Sequence, residues 1–217
     1  MKIGTDSLLL GAWANAPKKG TALDIGTGTG VLSLMLAQRF DTLHVHAIEI
    51  QPEAAGQAQE NFSCSPWSDR LHCLHSDIKD YYPTKAYDLV ISNPPYFANT
   101  ALSSDLARRS ARQESTLELD ELFRASYKIS TNGASFSLVY PFTQRSSLLK
   151  LALENGWFLE RSMEVLDQEG MPPVRLLVEF TKNSVPADPP DRMTIRNKDG
   201  SYHPQYVALT KDFHTIF

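Results

Sequence analysis

The sequence is short of cysteine, of long apolar runs and of excess basic charge. Only two cysteines occur in 217 residues, Cys64 and Cys73. Two cannot frame a disulfide scaffold, and they lack the paired C-x-x-C spacing of a structural zinc site, even with His72 and His75 nearby. They read as free thiols in a reducing compartment, and no metal is expected. No apolar run approaches the roughly 18 residues that a membrane span needs. The start Met1-Lys2-Ile3-Gly4-Thr5-Asp6 does not have the arrangement of a secretory signal, so the expected location is the cytoplasm. Twenty-one Lys and Arg against 25 Asp and Glu give a net charge of -4. A protein that binds nucleic acid over its whole surface is usually basic, so any such contact must come from a local patch. Hydrophobic residues are 42% and charged residues 21%, ordinary values for a globular chain long enough to bury its own core.

What is present is an alternation of strands and helices. Residues 5–14 read as a helix that Thr5 or Asp6 can cap. Residues 21–25 form an apolar strand that runs into a glycine loop, and 31–40 have helical spacing. Residues 43–49 are a second strand, and Pro52 opens the next helix at a position that tolerates proline. Strands at 71–75, 87–92 and 135–140 follow, with helices at about 118–130 and 144–154. Residues 157–166 and 174–181 are two further strands with no clear helix between them, hence an expected antiparallel pair. The expectation is an α/β fold, doubly wound, with a mostly parallel seven-stranded sheet and an antiparallel final strand. Residues 1–217 are expected to form one domain, with 183–217 as a tail packed on it. His44 and His46 alternate on a strand expected to be buried on both faces, unless one or both reach the sheet edge. Trp13, Trp67 and Trp157 are assigned to the core or to ordinary surface.

In such a sheet a ligand sits beyond the carboxyl ends of the strands. Asp24-Ile25-Gly26-Thr27-Gly28-Thr29-Gly30 lies at the first of these ends. Glycines there let the backbone turn tightly and approach a ligand closely. The dinucleotide fingerprint G-x-G-x-x-G would place its third glycine at Val31, and no G-K-[ST] follows to make a phosphate loop of the Walker type. Glu49 closes the next strand, where a carboxylate can accept hydrogen bonds from both hydroxyls of a ribose. The loop alone is also compatible with a purely structural turn. Together with Asp24 and Glu49, it resembles the S-adenosylmethionine-dependent Rossmann-like methyltransferases. That resemblance implies S-adenosyl-L-methionine as cofactor, with Asp24, Gly26, Gly28, Gly30 and Glu49 around its methionine and ribose. It further implies Asp77 as acceptor for the adenine amino group and Ile78 beside the ring, although Asp77 by itself could equally cap a turn.

Asn93-Pro94-Pro95-Tyr96 follows the fourth strand. Two prolines fix φ and remove two N–H donors, which stiffens the loop. A stiff loop can present the Asn93 side-chain oxygen and the Pro94 carbonyl to one amino group. The lone pair of an exocyclic or amide nitrogen is delocalised, and two accepted hydrogen bonds raise its electron density as it attacks a methyl carbon. Tyr96 offers a face for stacking a planar group. Taken in isolation the four residues are a proline turn with a buried aromatic. At this place in the fold they resemble the amino-methyltransferases, which act on adenine N6, cytosine N4 or a glutamine amide.

Further residues narrow the choice. Gly4-Thr5-Asp6-Ser7-Leu8-Leu9-Leu10-Gly11-Ala12-Trp13, then Asn93–Phe97, Arg108, Ala111-Arg112 and the tail 206–213 are similar to the bacterial tRNA adenine-N6 methyltransferases that modify adenine 37 of a valine tRNA. The resemblance implies that Thr5 and Asp6 approach the methionine end of the cofactor, and that tRNA is the partner. Relatives carry a short leader before the Thr-Asp helix, whose contacts would be supplied differently here. Phe97, Arg108, Arg109 and Arg112 are the expected RNA contacts, the arginines holding phosphates around a flipped base. A monomer without membrane attachment is expected. Three alternatives stay open: a glutamine-amide methyltransferase acting on a release factor, N6-adenine methylation of another nucleic acid, and an idle fold that binds RNA or a protein.

Overall fold

The computed structural model describes residues 4–95 and 119–213. Its elements, in chain order, are α1 (Thr5–Trp13), β1 (Lys19–Ile25), α2 (Val31–Arg39), β2 (Thr42–Glu49), α3 (Pro52–Ser63), β3 (Leu71–His75), β4 (Tyr87–Ser92), α4 (119–129), β5 (Ser130–Pro141), α5 (Arg145–Glu154), β6 (Phe158–Gln168), β7 (Pro173–Thr181), β8 (Asp191–Arg196) and α6 (Pro204–Thr210). The strands make one sheet in the order β3-β2-β1-β4-β5-β7-β6-β8. Pairings among β1 to β5 are parallel, and β7 runs antiparallel to both β5 and β6. The α/β doubly wound architecture is therefore the expected one, with chain order reversing between β1 and β4.

The expected antiparallel pair of residues 157–166 and 174–181 is β6 with β7, and β7 inserts between β5 and β6. One detail differs from the expectation: the sheet has eight strands rather than seven. The eighth strand comes from the segment read as tail. Asp191-Arg192-Met193-Thr194-Ile195-Arg196 buries Met193 and Ile195 and exposes the arginines, the period-two pattern of a half-buried edge strand. Because β7 descends the sheet, the chain must climb again, so β8 pairs parallel to β6.

The core lies on both faces of the sheet. On one face α1, α2, α3 and α6 enclose Leu9, Leu10, Leu36, Phe62 and Tyr206. On the other, α4 and α5 enclose Phe123, Phe136, Leu148, Trp157 and Phe180. That second layer stops short of the β3 edge. Accordingly β2 is not buried on both faces: His44 is exposed and His46 half-buried. His46 Nδ1 and the Tyr87 hydroxyl share a hydrogen bond of 2.7 Å, so the position is satisfied by a polar partner instead of a second layer. Burial, with the charges of His72 and His44 adding, holds the His46 imidazolium below the usual histidine range. Among the described residues, no helix is long and apolar enough to cross a membrane.

Candidate active site

The carboxyl ends of β1, β2, β3 and β4 converge on one edge, where the candidate residues collect. β1 ends in the glycine loop, which turns back over its neighbour as Gly26 N and Thr27 N donate to Ile48 O at 2.9 and 3.2 Å. Gly28 adopts φ +58°, a left-handed conformation that glycine takes without strain. Its N–H donates to Glu49 Oε2 at 2.9 Å, while Gln51 N donates to Oε1 at 3.0 Å. Glu49 is thus a buried carboxylate with one amide on each oxygen, which leaves a further lone pair on each for a ligand hydroxyl. Gly30, at φ +87°, opens α2, and a Cβ there would lie 2.4 Å from the Phe62 ring. No side chain other than hydrogen fits.

Asp24 lies beneath the loop, fully buried. Its Oδ2 accepts from Thr27 Oγ1 at 2.5 Å and from Ser33 Oγ at 2.8 Å, while Oδ1 is buried without a hydrogen-bond partner. Burial pushes its carboxyl up to about 6; the two hydroxyls work against the shift, and the nearby Glu49 charge adds to it. The acid ahead of the glycines therefore fastens the loop to its strand and helix.

Asp77 follows β3 and caps a 3-10 turn, accepting from Lys79 N at 2.9 Å. It also pairs with Lys79 Nζ at 3.5 Å, and Glu121 on α4 pairs with the same ammonium at 3.6 Å. These two carboxylates hold the Lys79 ammonium above its ordinary range. Asp77 and Ile78 line a cavity of about 260 Å3, together with Gly26, Ile50, Pro94 and Leu122. Ile50, 55% exposed, presents an apolar face to this cavity. Tyr140, at the end of β5, closes the far wall.

Asn93 and Pro94 follow β4, and Ser92, Pro94 and Pro95 line this cavity. Ser92 Oγ donates to Ile25 O at 2.8 Å, tying the end of β4 to the end of β1. The Asn93 amide nitrogen donates to Ser7 Oγ at 2.9 Å, across 86 residues of sequence. The helix that carries Ser7 is not capped by Thr5 or Asp6: its N-cap is Gly4, with no side-chain cap bond. Asp6 instead accepts from Arg175 Nε at the start of β7. The Asp6 carboxylate expected near the cofactor is therefore engaged by an arginine, and the neighbouring Ser7 is the α1 side chain that reaches the second loop. Tyr96, Phe97, Arg108, Arg109 and Arg112 lie outside the described residues.

Gly26, Gly28, Glu49, Asp77, Ile78, Asn93 and Pro94 thus share one edge, Asp24 lies beneath it, and Asp6 is turned to Arg175. Ser7, Ile50 and Tyr140 were not singled out in the sequence. Ile50 carried a signal, since it directly follows the acid that closes β2; Ser7 carried none beyond its place beside Thr5-Asp6. Among the described residues, no group of three or more His, Cys, Asp and Glu is arranged to hold a metal ion.

Residues 2–119 match the Methyltransferase small domain family. A tRNA1(Val) (adenine(37)-N6)-methyltransferase of Parabacteroides distasonis is 39% identical over 216 residues, covering 99% of this chain and 91% of the relative. This chain belongs to that family of methyltransferases. A Klebsiella pneumoniae relative of the same name is 39% identical over 217 residues, covering 99% of this chain and 88% of its own length. A solved structure described as a predicted O-methyltransferase from Agrobacterium tumefaciens superposes with a TM-score of 0.71 at 17% identity, over 95% of this chain and 96% of that one. The fold shared with that structure spans almost the whole chain.

Proposed function

We propose that the protein transfers the methyl group of S-adenosyl-L-methionine to the N6 amino group of an adenine in tRNA, adenine 37 of a valine tRNA as its relatives are named. The observation that carries the reading is that Ser92, Pro94 and Pro95, the residues flanking Asn93, line a cavity whose other walls suit a nucleoside. The fit to the cofactor rests on local features. A Cβ added at Gly26 or Gly28 would meet nothing within 4 Å, so open space lies over the loop. Each Glu49 oxygen keeps a lone pair for a ribose hydroxyl, Asp77 lines the cavity as an acceptor for an amino group, and Ile50 and Ile78 offer apolar walls to a ring.

When bound, the cofactor supplies a methyl group activated by its sulfonium. The chain's own residues do the rest by positioning. Asn93 Oδ1 and the Pro94 carbonyl accept the two N6 hydrogens, which aims the nitrogen lone pair out of the ring plane and raises its electron density. No strong base is needed, because the nitrogen becomes acidic only after the methyl has moved. Tyr96 and Phe97 stack on the flipped adenine, and Arg108, Arg109 and Arg112 hold adjacent phosphates. The protein acts as a single domain and a monomer in the cytoplasm.

The test is labelled S-adenosylmethionine offered in parallel to bulk bacterial tRNA and to a release-factor protein, with products resolved by mass spectrometry. N6-methyladenosine in tRNA is expected. Methylglutamine in the protein would replace this reading with the amide one, and label in neither would leave an idle fold. Neutralising Arg108 and Arg112 together is expected to lower the slope of log affinity against log salt by about 2; an unchanged slope would remove those arginines from the RNA interface.

A further inference from the structure

We infer that Ser7 is a positioning residue that sets which end of the Asn93 amide faces the substrate amino group, an inference that rests on the function proposed above. A carboxamide has an accepting end and a donating end. With Oδ1 toward the substrate, the amide accepts an amino hydrogen. Turned over, its NH2 meets the substrate NH2, and two donors oppose each other. The prolines after Asn93 stiffen the backbone but do nothing to choose between these two orientations of the side chain. The choice comes from Ser7 and the substrate together. Asn93 Nδ2 donates to Ser7 Oγ at 2.9 Å. The hydroxyl could also donate to a turned-over amide, but that form would oppose the substrate NH2, so the two contacts together hold Oδ1 toward the substrate.

For Ser7 to do this, α1 must itself be fixed, and it is held at both ends. Near its start, Asp6 is paired with Arg175 of β7. Near its end, Arg39 Nη1 donates to Gly11 O at 2.7 Å and to Ala14 O at 2.6 Å. Arg161 Nη2 donates to Trp13 O at 3.2 Å, with the guanidinium 3.9 Å from the Trp13 ring. Leu9 and Leu10 are fully buried between these ties. The helix is thus a rigid mount that carries one hydroxyl to the reacting loop.

Removing one such bond to a half-buried amide should lower the turnover rate roughly 10-fold and leave cofactor affinity alone. The test uses the full chain labelled with 15N-asparagine, as wild type, Ser7→Ala and Ser7→Thr. The Asn93 side-chain NH2 signal is identified by its loss in Asn93→Ala. Ser7→Ala is expected to shift that signal and to lower kcat on tRNA about 10-fold, with cofactor Kd and KM within two-fold of wild type. Ser7→Thr, which keeps the hydroxyl, should restore both. An unmoved Asn93 signal, a kcat within two-fold of wild type, or a loss that threonine does not rescue overturns the proposal. If wild type fails to methylate tRNA, the proposed function falls, while the Asn93 signal still decides whether Ser7 holds the amide.

Discussion

The glycine loop after β1 and the Asn93 loop after β4 meet at one edge of the sheet but are fastened in different ways. The glycine loop is held by its own surroundings: Asp24 below it, Ser33 on the helix it opens, Glu49 and Ile48 on the adjacent strand. Among the described residues, Ser92 ties β4 to β1 through its hydroxyl, and the Asn93 side chain is held by Ser7 of α1, 86 residues earlier in the sequence. That helix is in turn tied to β6 and β7. On the function proposed above, the difference separates two tasks. A loop that binds the cofactor must be formed before the cofactor arrives, and local bonds suffice. A loop that orients an acceptor must be placed against atoms from another part of the molecule, and needs a long-range support. Damage to one loop should therefore spare the other.

The sharpest break is Asn93→Ala. Turnover should fall by about 10^3-fold or more, the usual scale for losing a group that orients the reacting atom, while cofactor Kd stays within a few-fold. Single-turnover rates and equilibrium binding measured on one preparation check this. Lost cofactor binding would show that the two loops are not independent.

Asp24 probes the other loop through pH. Its folded pKa is raised above the unfolded value of 3.8 to about 6. Between those values the folded state binds more protons than the unfolded state. The contribution of Asp24 to stability is then full below pH 3.8 and is lost as pH rises through about 6, by up to about 3 kcal/mol. Asp24→Asn removes that dependence and keeps an oxygen for Thr27 and Ser33. Its stability relative to wild type should rise by up to that amount between pH 4 and pH 7 in urea melts. A pH-independent difference would mean that Asp24 titrates normally.

Glu49→Gln should weaken cofactor binding about 10- to 100-fold, since one oxygen becomes an NH2 that cannot accept from an amide or a ribose hydroxyl. Its kcat at saturating cofactor should change little. A large kcat effect with unchanged Kd would place Glu49 on the acceptor side instead. Smallest is Arg175→Gln, which unties the start of α1 from β7. About 1 kcal/mol of stability should be lost, with a kcat reduction of a few-fold and no change in cofactor Kd.

The same difference decides what could be read from the sequence. Asp24, the glycines and Glu49 were legible because the bonds they make lie within one strand-loop-helix unit and the strand beside it. Asn93 and the two prolines were legible as a stiff loop after a strand. Ser7 was not, because its partner is 86 residues away and a serine in a first helical turn has many ordinary uses. Asp6 was legible as a charged residue near the site but not as the partner of Arg175, which reaches it from β7, 169 residues away. The alternation of Met193 and Ile195 was present in the sequence, yet flanking prolines and acids concealed a short edge strand. His44 and His46 left two readings open, buried or at the sheet edge, because how far a second helical layer covers β2 is reported by no local pattern.

The most direct test of the account is the position of the transferred methyl group. Full-length protein would be given labelled S-adenosylmethionine and an unmodified valine-tRNA transcript with adenine at position 37, beside the same transcript carrying guanine there. The account predicts one N6-methyladenosine per tRNA, at position 37, and no label in the guanine transcript. Equal labelling of both transcripts, or none in either, would contradict it.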